Sequence, residues 1–193
     1  MDRKTAEIRK IVKDICDKGG QMQWEMHIMP VMSNAMKLAG MLNADKKIVE
    51  ISVYLHDIAR LREKREDHHH IKGAKMAEEI LTKLGYEKTF IKKVSYCIIC
   101  HRGPSRNCKT REAKILNSAD AMSHFDNVPY LFWIATACKG MGFKEALEWV
   151  DYKMEKGWNE KMQPEAKKLY KPKYEAAKLL LDSSRGYLYG RKN

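Results

Sequence analysis

The chain has 193 residues, enough to bury one full hydrophobic core, so one domain is the default expectation. Hydrophobic residues make up 44% and charged residues 32%, and no apolar run approaches the ~20 residues of a membrane span. Five cysteines without regular spacing argue against a disulfide framework, and the opening M-D-R-K-T-A-E lacks the apolar centre of a secretory signal, so a cytoplasmic protein is expected. The net charge of +12 is open between an anion-attracting surface and a lysine-rich solvated coat.

Along the chain, Ile8, Ile11, Val12 and Ile15 recur at helical spacing, and Gly19-Gly20 end the pattern. A second helix is predicted from near Trp24, with Pro30 tolerated only in its first turn, which puts His27 at or just before the helix start. Asn43 and Asp45 both suit the cap of a third helix. This helix carries I-S-V-Y-L-H-D-I-A-R over Ile51 to Arg60, is apolar on nearly every side, and is predicted to be buried and to run on into R-L-R-E-K-R-E-D. Asp57 in its middle requires a compensating charge, because an unpartnered buried carboxylate costs several kcal/mol or more.

The next helix reads H-H-H-I-K-G-A-K-M-A-E-E-I-L-T-K-L-G, with Ile71, Ala74, Ala77, Ile80, Leu81 and Leu84 inward and Gly85 as its C-terminal stop. Residues 89–101 form an apolar helix ending in I-I-C-H at His101, and R-G-P-S-R-N-C-K-T is a loop by composition. From Arg111 a helix turns Ile115, Leu116, Ala119 and Asp120 inward until Pro129 interrupts it. Gly140 and Gly142 precede an amphipathic helix from Phe143 to about Met154, and a last helical segment closes the chain. No stretch alternates with a period of two, so the class is all-α.

His27, the His56-Asp57 pair, His69, His101 and Asp120 thus sit on apolar faces or ends of five different helices. Imidazole and carboxylate groups delivered from separate helices into one core are how helical proteins build metal sites. The H-D dipeptide alone reads as a core histidine beside a salt-bridged Asp; the ordered set is what changes that reading. C-I-I-C-H at Cys97 to His101 matches a haem-attachment pattern and Cys97, Cys100 and Cys108 a partial zinc knuckle, but apolar helix surroundings favour buried structural thiols.

The ordered pattern His27, H-D at 56–57, H-H-I-K-G-A, I-I-C-H-R and N-S-A-D resembles the HD-domain metal-dependent phosphohydrolases over about residues 20 to 130. The resemblance implies a single HD-type helical domain over 1–193, with residues 143–193 as additional C-terminal helices bracing the bundle. It implies a divalent metal held by His27, His56, Asp57 and Asp120, with His69 and His101 serving a second ion or substrate phosphate and Asp57 bridging. Gly73-Ala74 selects His69 from the H-H-H run and leaves His68 and His70 solvated. Two departures from the commonest form are I-A-R after H-D and S-A-D-A in place of a D-A-D run, which leaves the identity of a base open. Such ligands suit Mn, Fe, Co, Ni or Zn better than Mg, and one ion is expected rather than two. Arg60, Lys72 and Arg102 are the candidate cations for substrate phosphate, and His124, one turn after Asp120, is a candidate partner of the ligands.

The implied activity is cleavage of a phosphate ester or anhydride of a nucleotide or other small phosphorylated molecule. Two alternatives stay open: a metal- and nucleotide-binding regulatory module without turnover, and a basic nucleic-acid-associated protein whose metal is structural. No membrane partner is expected.

Overall fold

The computed structural model describes residues 2–19, 22–63 and 68–190. Every regular element among them is helical. Helix α1 (Arg3–Gly19) buries Ile8 and Val12, as the spacing predicts, and also Cys16, while Ile11 and Ile15 are half-buried. Helix α2 (Met29–Met41) follows without a break from a wide π-helical turn at Trp24–Ile28. That turn accommodates Pro30, which has no N–H to give the carbonyl of Met26 four residues back. Met26 O instead accepts a hydrogen bond from Asn127 Nδ2 at 3.2 Å. His27 therefore lies inside a helical turn, not ahead of one.

Asp45 caps α3 (Lys46–Leu55), accepting from the backbone N–H groups of Lys47 and Ile48. Asn43 has no part in the cap; it turns the chain at a φ of +50°, and its carbonyl accepts from Arg111. The single helix predicted through Ile51–Arg60 is broken in two. Helix α3 stops at Leu55, His56 and Asp57 form a turn, and α4 (Ile58–Glu63) begins afresh. The cause is local: His56 Nδ1 donates to the Val53 carbonyl at 2.8 Å, taking the acceptor a continuing helix would offer to the Asp57 N–H. The part of the charged run at residues 64–67 lies outside the described residues, as do Gly20 and residues 191–193 of the basic tail.

Helices α5 (His69–Lys83) and α6 (Lys88–Cys100) pack as an antiparallel pair joined at Gly85, whose φ of +66° is the left-handed stop expected there. Ile71 is exposed, contrary to its predicted inward place, because the buried stripe of α5 runs through His69, Gly73, Ala74, Ala77 and Leu81. Thr110 caps α7 (Arg111–Asp126), in which every residue from Ile115 to Ser123 is buried. Burial on all sides requires neighbours on all sides, and Ser118, Ala119, Ala121 and Ser123 are small enough to admit them: α2, α3, α6, α10 and the turn after α9 all contact it.

After α8 (Val128–Trp133) and a π turn at Ile134–Cys138 come α9 (Phe143–Lys156), a further π turn at Gly157–Lys161, and α10 (Pro164–Tyr189), which carries Pro172 within it. Gly157 lies against α7 so closely that a Cβ there would sit 3.3 Å from Ala121 Cβ. Each fully buried Leu or Ile contributes about 1.5–3 kcal/mol. Ile51, Leu55, Ile98, Ile115 and Leu116 are fully buried in this way around the polar groups set among them. No described helix is long and apolar enough to cross a membrane.

Candidate metal centre

The breaks and ends of the helices carry the chemistry. The turn between α3 and α4 supplies His56 and Asp57, the π turn before α2 supplies His27, α5 begins with His69, α6 ends at His101, and the middle of α7 supplies Asp120. All six are buried. Asp57 Oδ2 lies 3.4 Å from His27 Nε2 and 3.7 Å from His56 Nε2. Its Oδ1 lies 3.4 Å from His69 Nε2 and 3.7 Å from His101 Nε2. One carboxylate thus joins two groups of three donors, His27–His56–Asp57 and Asp57–His69–His101. Asp120 Oδ1 approaches the first group, 3.7 Å from His27 Nε2.

The hydrogen bonds assign the tautomers of three rings. His56 Nδ1 donates to Val53 O, and His101 Nδ1 donates to Ile98 O at 2.5 Å, each using a carbonyl of the last turn of its own helix. Ser123 Oγ donates to Asp120 O, so His27 Nδ1, 3.2 Å from that oxygen, is the donor to it. In the neutral form of each ring, Nε2 is then the lone-pair atom. In that form His27 and His56 point their lone pairs at each other across 3.1 Å, an arrangement that a cation shared between them would relieve. Borderline nitrogen donors with carboxylate oxygens fit a divalent transition metal.

Burial holds these groups in the forms a metal needs. It pushes the His56 imidazole down to about 4 and lowers His101 as well, so both are neutral at pH 7. Burial alone would raise Asp57, but the Arg60 guanidinium beside it outweighs that effect and holds the carboxyl well below its ordinary range. Arg60 Nη2 lies 2.6 Å from Asp57 Oδ2, Nε donates to the same oxygen at 2.9 Å, and Nη2 also donates to Gln23 Oε1. Asp120 is likewise held low against the effect of burial, chiefly by Lys161, whose Nζ is 2.7 Å from Oδ2.

The sequence profile of the HD domain matches residues 25–124, more than half of the chain, and spans every one of these donors. The chain belongs to the HD domain family. As a member it is a metal-dependent hydrolase. No curated protein sequence matches the chain. Among solved structures, it resembles Bacillus subtilis YpgQ in complex with ADP, with a TM-score of 0.72 and 19% identity over 96% of this chain and 98% of YpgQ. An HD-superfamily hydrolase from Bacillus thuringiensis aligns with a TM-score of 0.69 and 20% identity, covering 97% of this chain and 98% of its own. A protein described as a predicted HD superfamily hydrolase, from an uncultured Thermotogales bacterium, gives 0.53 and 24% over 77% of this chain and 83% of that one. At these identities the likeness is one of fold.

Around the six HD donors, the other candidates divide. Arg60, Arg102 and His124 line the cavity over Asp57 and Asp120. Lys72 does not: its side chain is half exposed and pairs with Glu63 at 2.7 Å. His124 stacks over the His27 ring with centroids 6.3 Å apart, and burial, with Lys153 beside it, keeps it neutral. His68 is exposed, while His70 is half-buried, its Nδ1 enclosed without a hydrogen bond. Cys97 and Cys108 are buried, with burial pushing their thiols up to about 12 and about 11, so neither is a thiolate at neutral pH.

Two cations that sequence reasoning missed lie beyond the HD segment, in the stretch read as bracing. Lys153 on α9 lines the cavity beside the donors, and burial with the nearby Lys161 lowers it to about 8. Lys161, in the turn after α9, is buried against Asp120. Lys153 flanks the apolar stripe of Leu147, Val150 and Met154, a position that gave a faint signal. Lys161 gave none, because a π turn shifts its register away from any helical pattern.

Proposed function

We propose that the chain is a phosphohydrolase that cleaves a phosphate ester or anhydride of a nucleotide or other small phosphorylated substrate. The observation that carries this reading is the set of buried imidazoles whose Nε2 atoms surround a doubly shared carboxylate. In this reading His27, His56, Asp57 and Asp120 hold a divalent transition ion, and His69 and His101 with Asp57 take a second ion or the substrate phosphate. The ADP bound to YpgQ, a protein of the same fold, supports a nucleotide as the substrate class. An ion held by these ligands supplies Lewis acidity and lowers the pKa of water from 15.7 towards ~7.

The chain's own groups do the rest. Asp57 and Asp120, kept ionised by Arg60 and Lys161, supply the negative charge that retains a dication. Arg102 and Lys153, on the wall of the same cavity, face the equatorial oxygens of a phosphoryl group, whose charge catalysis must neutralise. His124, neutral and on that wall, is placed to accept or return a proton. A neighbouring cavity lined by Met26, Tyr130, Leu131 and Ile134, with the amides of Gln23 and Asn127, offers an apolar end with hydrogen-bonding groups, which suits a base or sugar.

Elemental analysis of protein purified without chelator, combined with a panel of nucleotides and aryl phosphates, tests the reading. Metal is expected with the protein, and turnover is expected to vanish on chelation and return with Mn, Fe, Co, Ni or Zn. A protein that binds metal and nucleotide yet turns over no member of the panel would instead be a regulatory module.

A further inference from the structure

A second chamber of about 190 Å³ adjoins the metal centre, sharing the walls formed by Arg102, His124 and Lys153 with the cavity over Asp57. Its other lining includes Trp149, Tyr152, Lys156 and Lys161. Four cationic side chains thus face one concavity, and among the described residues no acidic one lines it. Among the same residues Lys161 has a carboxylate partner, Asp120, whereas no acidic side chain pairs with Arg102, Lys153 or Lys156. The aromatic residues serve the cations: Lys153 Nζ lies 5.6 Å from the Trp149 ring centre, and Lys156 Nζ lies 5.6 Å from that of Tyr152. Three of the four cations, with both aromatics, come from residues 149–161, beyond the segment that matches the HD profile.

Like charges gathered in a partly enclosed space repel one another, and low-dielectric walls strengthen the effect. The cost is recovered when an anion of matching charge enters. We propose that this chamber is an anion subsite that takes the phosphate groups of a substrate lying beyond the one at the metal centre, so that the chain selects molecules with two or more linked phosphates. The proposal rests on the phosphohydrolase reading for its use in turnover, but not for the binding itself. Size agrees, since ~10–15 Å³ suffices for one water and the chamber is many times larger.

The test begins with binding, in the absence of divalent ions. The wild-type protein is titrated with inorganic tripolyphosphate and with inorganic phosphate by calorimetry, and by tryptophan fluorescence with Trp149→Phe to assign the signal. Lys156→Met and Lys153→Met are compared with Lys171→Met, a change on the exposed face of α10 that alters net charge equally. Tripolyphosphate is expected to bind more tightly than phosphate, and each chamber variant to lose about tenfold or more of that preference, the worth of one charge-assisted contact. Equal affinity for the two anions, or equal losses in Lys171→Met, overturns the proposal.

A turnover arm separates the two readings. The ratio of kcat/KM for a nucleoside triphosphate to that for its monophosphate is expected to fall in Lys156→Met. Selective binding without hydrolysis of any ester leaves the chamber and removes the hydrolase; hydrolysis without a change in the ratio leaves the hydrolase and removes the subsite.

Discussion

Asp57 carries more of the centre than any other residue, because its two oxygens face different donor groups. Replacing it with Ala is expected to empty both groups of metal, whereas His69→Ala leaves His27, His56 and Asp120 in place and reduces only the second. Elemental analysis of the two purified variants checks this; full metal in Asp57→Ala would refute the shared-ligand assignment. The Asp57 variant also leaves Arg60 facing the imidazoles without its carboxylate, so thermal stability is expected to fall as well. The convergence of the six donors was legible because each is a titratable residue at an apolar position, and such exceptions stand out. Lys153 and Lys161 were illegible for the opposite reason. A lysine in a lysine-rich chain reads as solvated, and only the fold turns these two inward. Lys72 shows the converse error: closeness to His69 in sequence made it a candidate, yet its side chain turns to Glu63 and solvent.

At the level of elements, helix existence followed from apolar spacing and from Gly, Pro and capping residues. Helix continuity did not. The break at His56–Asp57 and the π turns at Trp24–Ile28 and Gly157–Lys161 arise from side-chain competition for carbonyls and from tertiary fit, which periodicity does not encode. The joint between α9 and α10 is electrostatic: Asp151 accepts from Lys178 at 3.0 Å and also pairs with Arg185, which reaches Glu148. Burial would raise Asp151, but these two cations lower it below the ordinary carboxylate value. A depressed folded-state value means the contribution is full above the unfolded pKa of ~3.9 and is lost as pH falls through the folded one. Asp151→Asn is therefore expected to lower stability by about 1 kcal/mol at pH 7, the discount for a partly solvated network being included. Thermal melts at pH 7 and pH 3 check it: the difference from wild type should shrink at the lower pH, and a constant difference would assign the effect to packing.

Across the whole molecule, α7, which ends the segment matching the HD profile, packs against the helices C-terminal to it. Asp120 meets Lys161, Ala121 meets Gly157, Phe125 lies against Trp158 and Tyr174, and Asp126 accepts from Tyr170 at 2.8 Å. A fragment of residues 1–139 would expose that face of α7 and strand Asp120 beside imidazoles alone. It is expected to be insoluble or to lack a cooperative melt by circular dichroism, whereas a sharp transition would show two folding units instead of one. The two helix-end histidines have a different consequence. His56 and His101 each use one ring nitrogen to close the end of their own helix and the other to face the site. An aspartate or cysteine could replace the second duty but not the first. Positions 56 and 101 are thus closed to the usual exchange of one donor type for another, and a descendant of this chain that needed a new reaction would have to vary the lysines of its outer wall, leaving the inner ring of imidazoles as inherited.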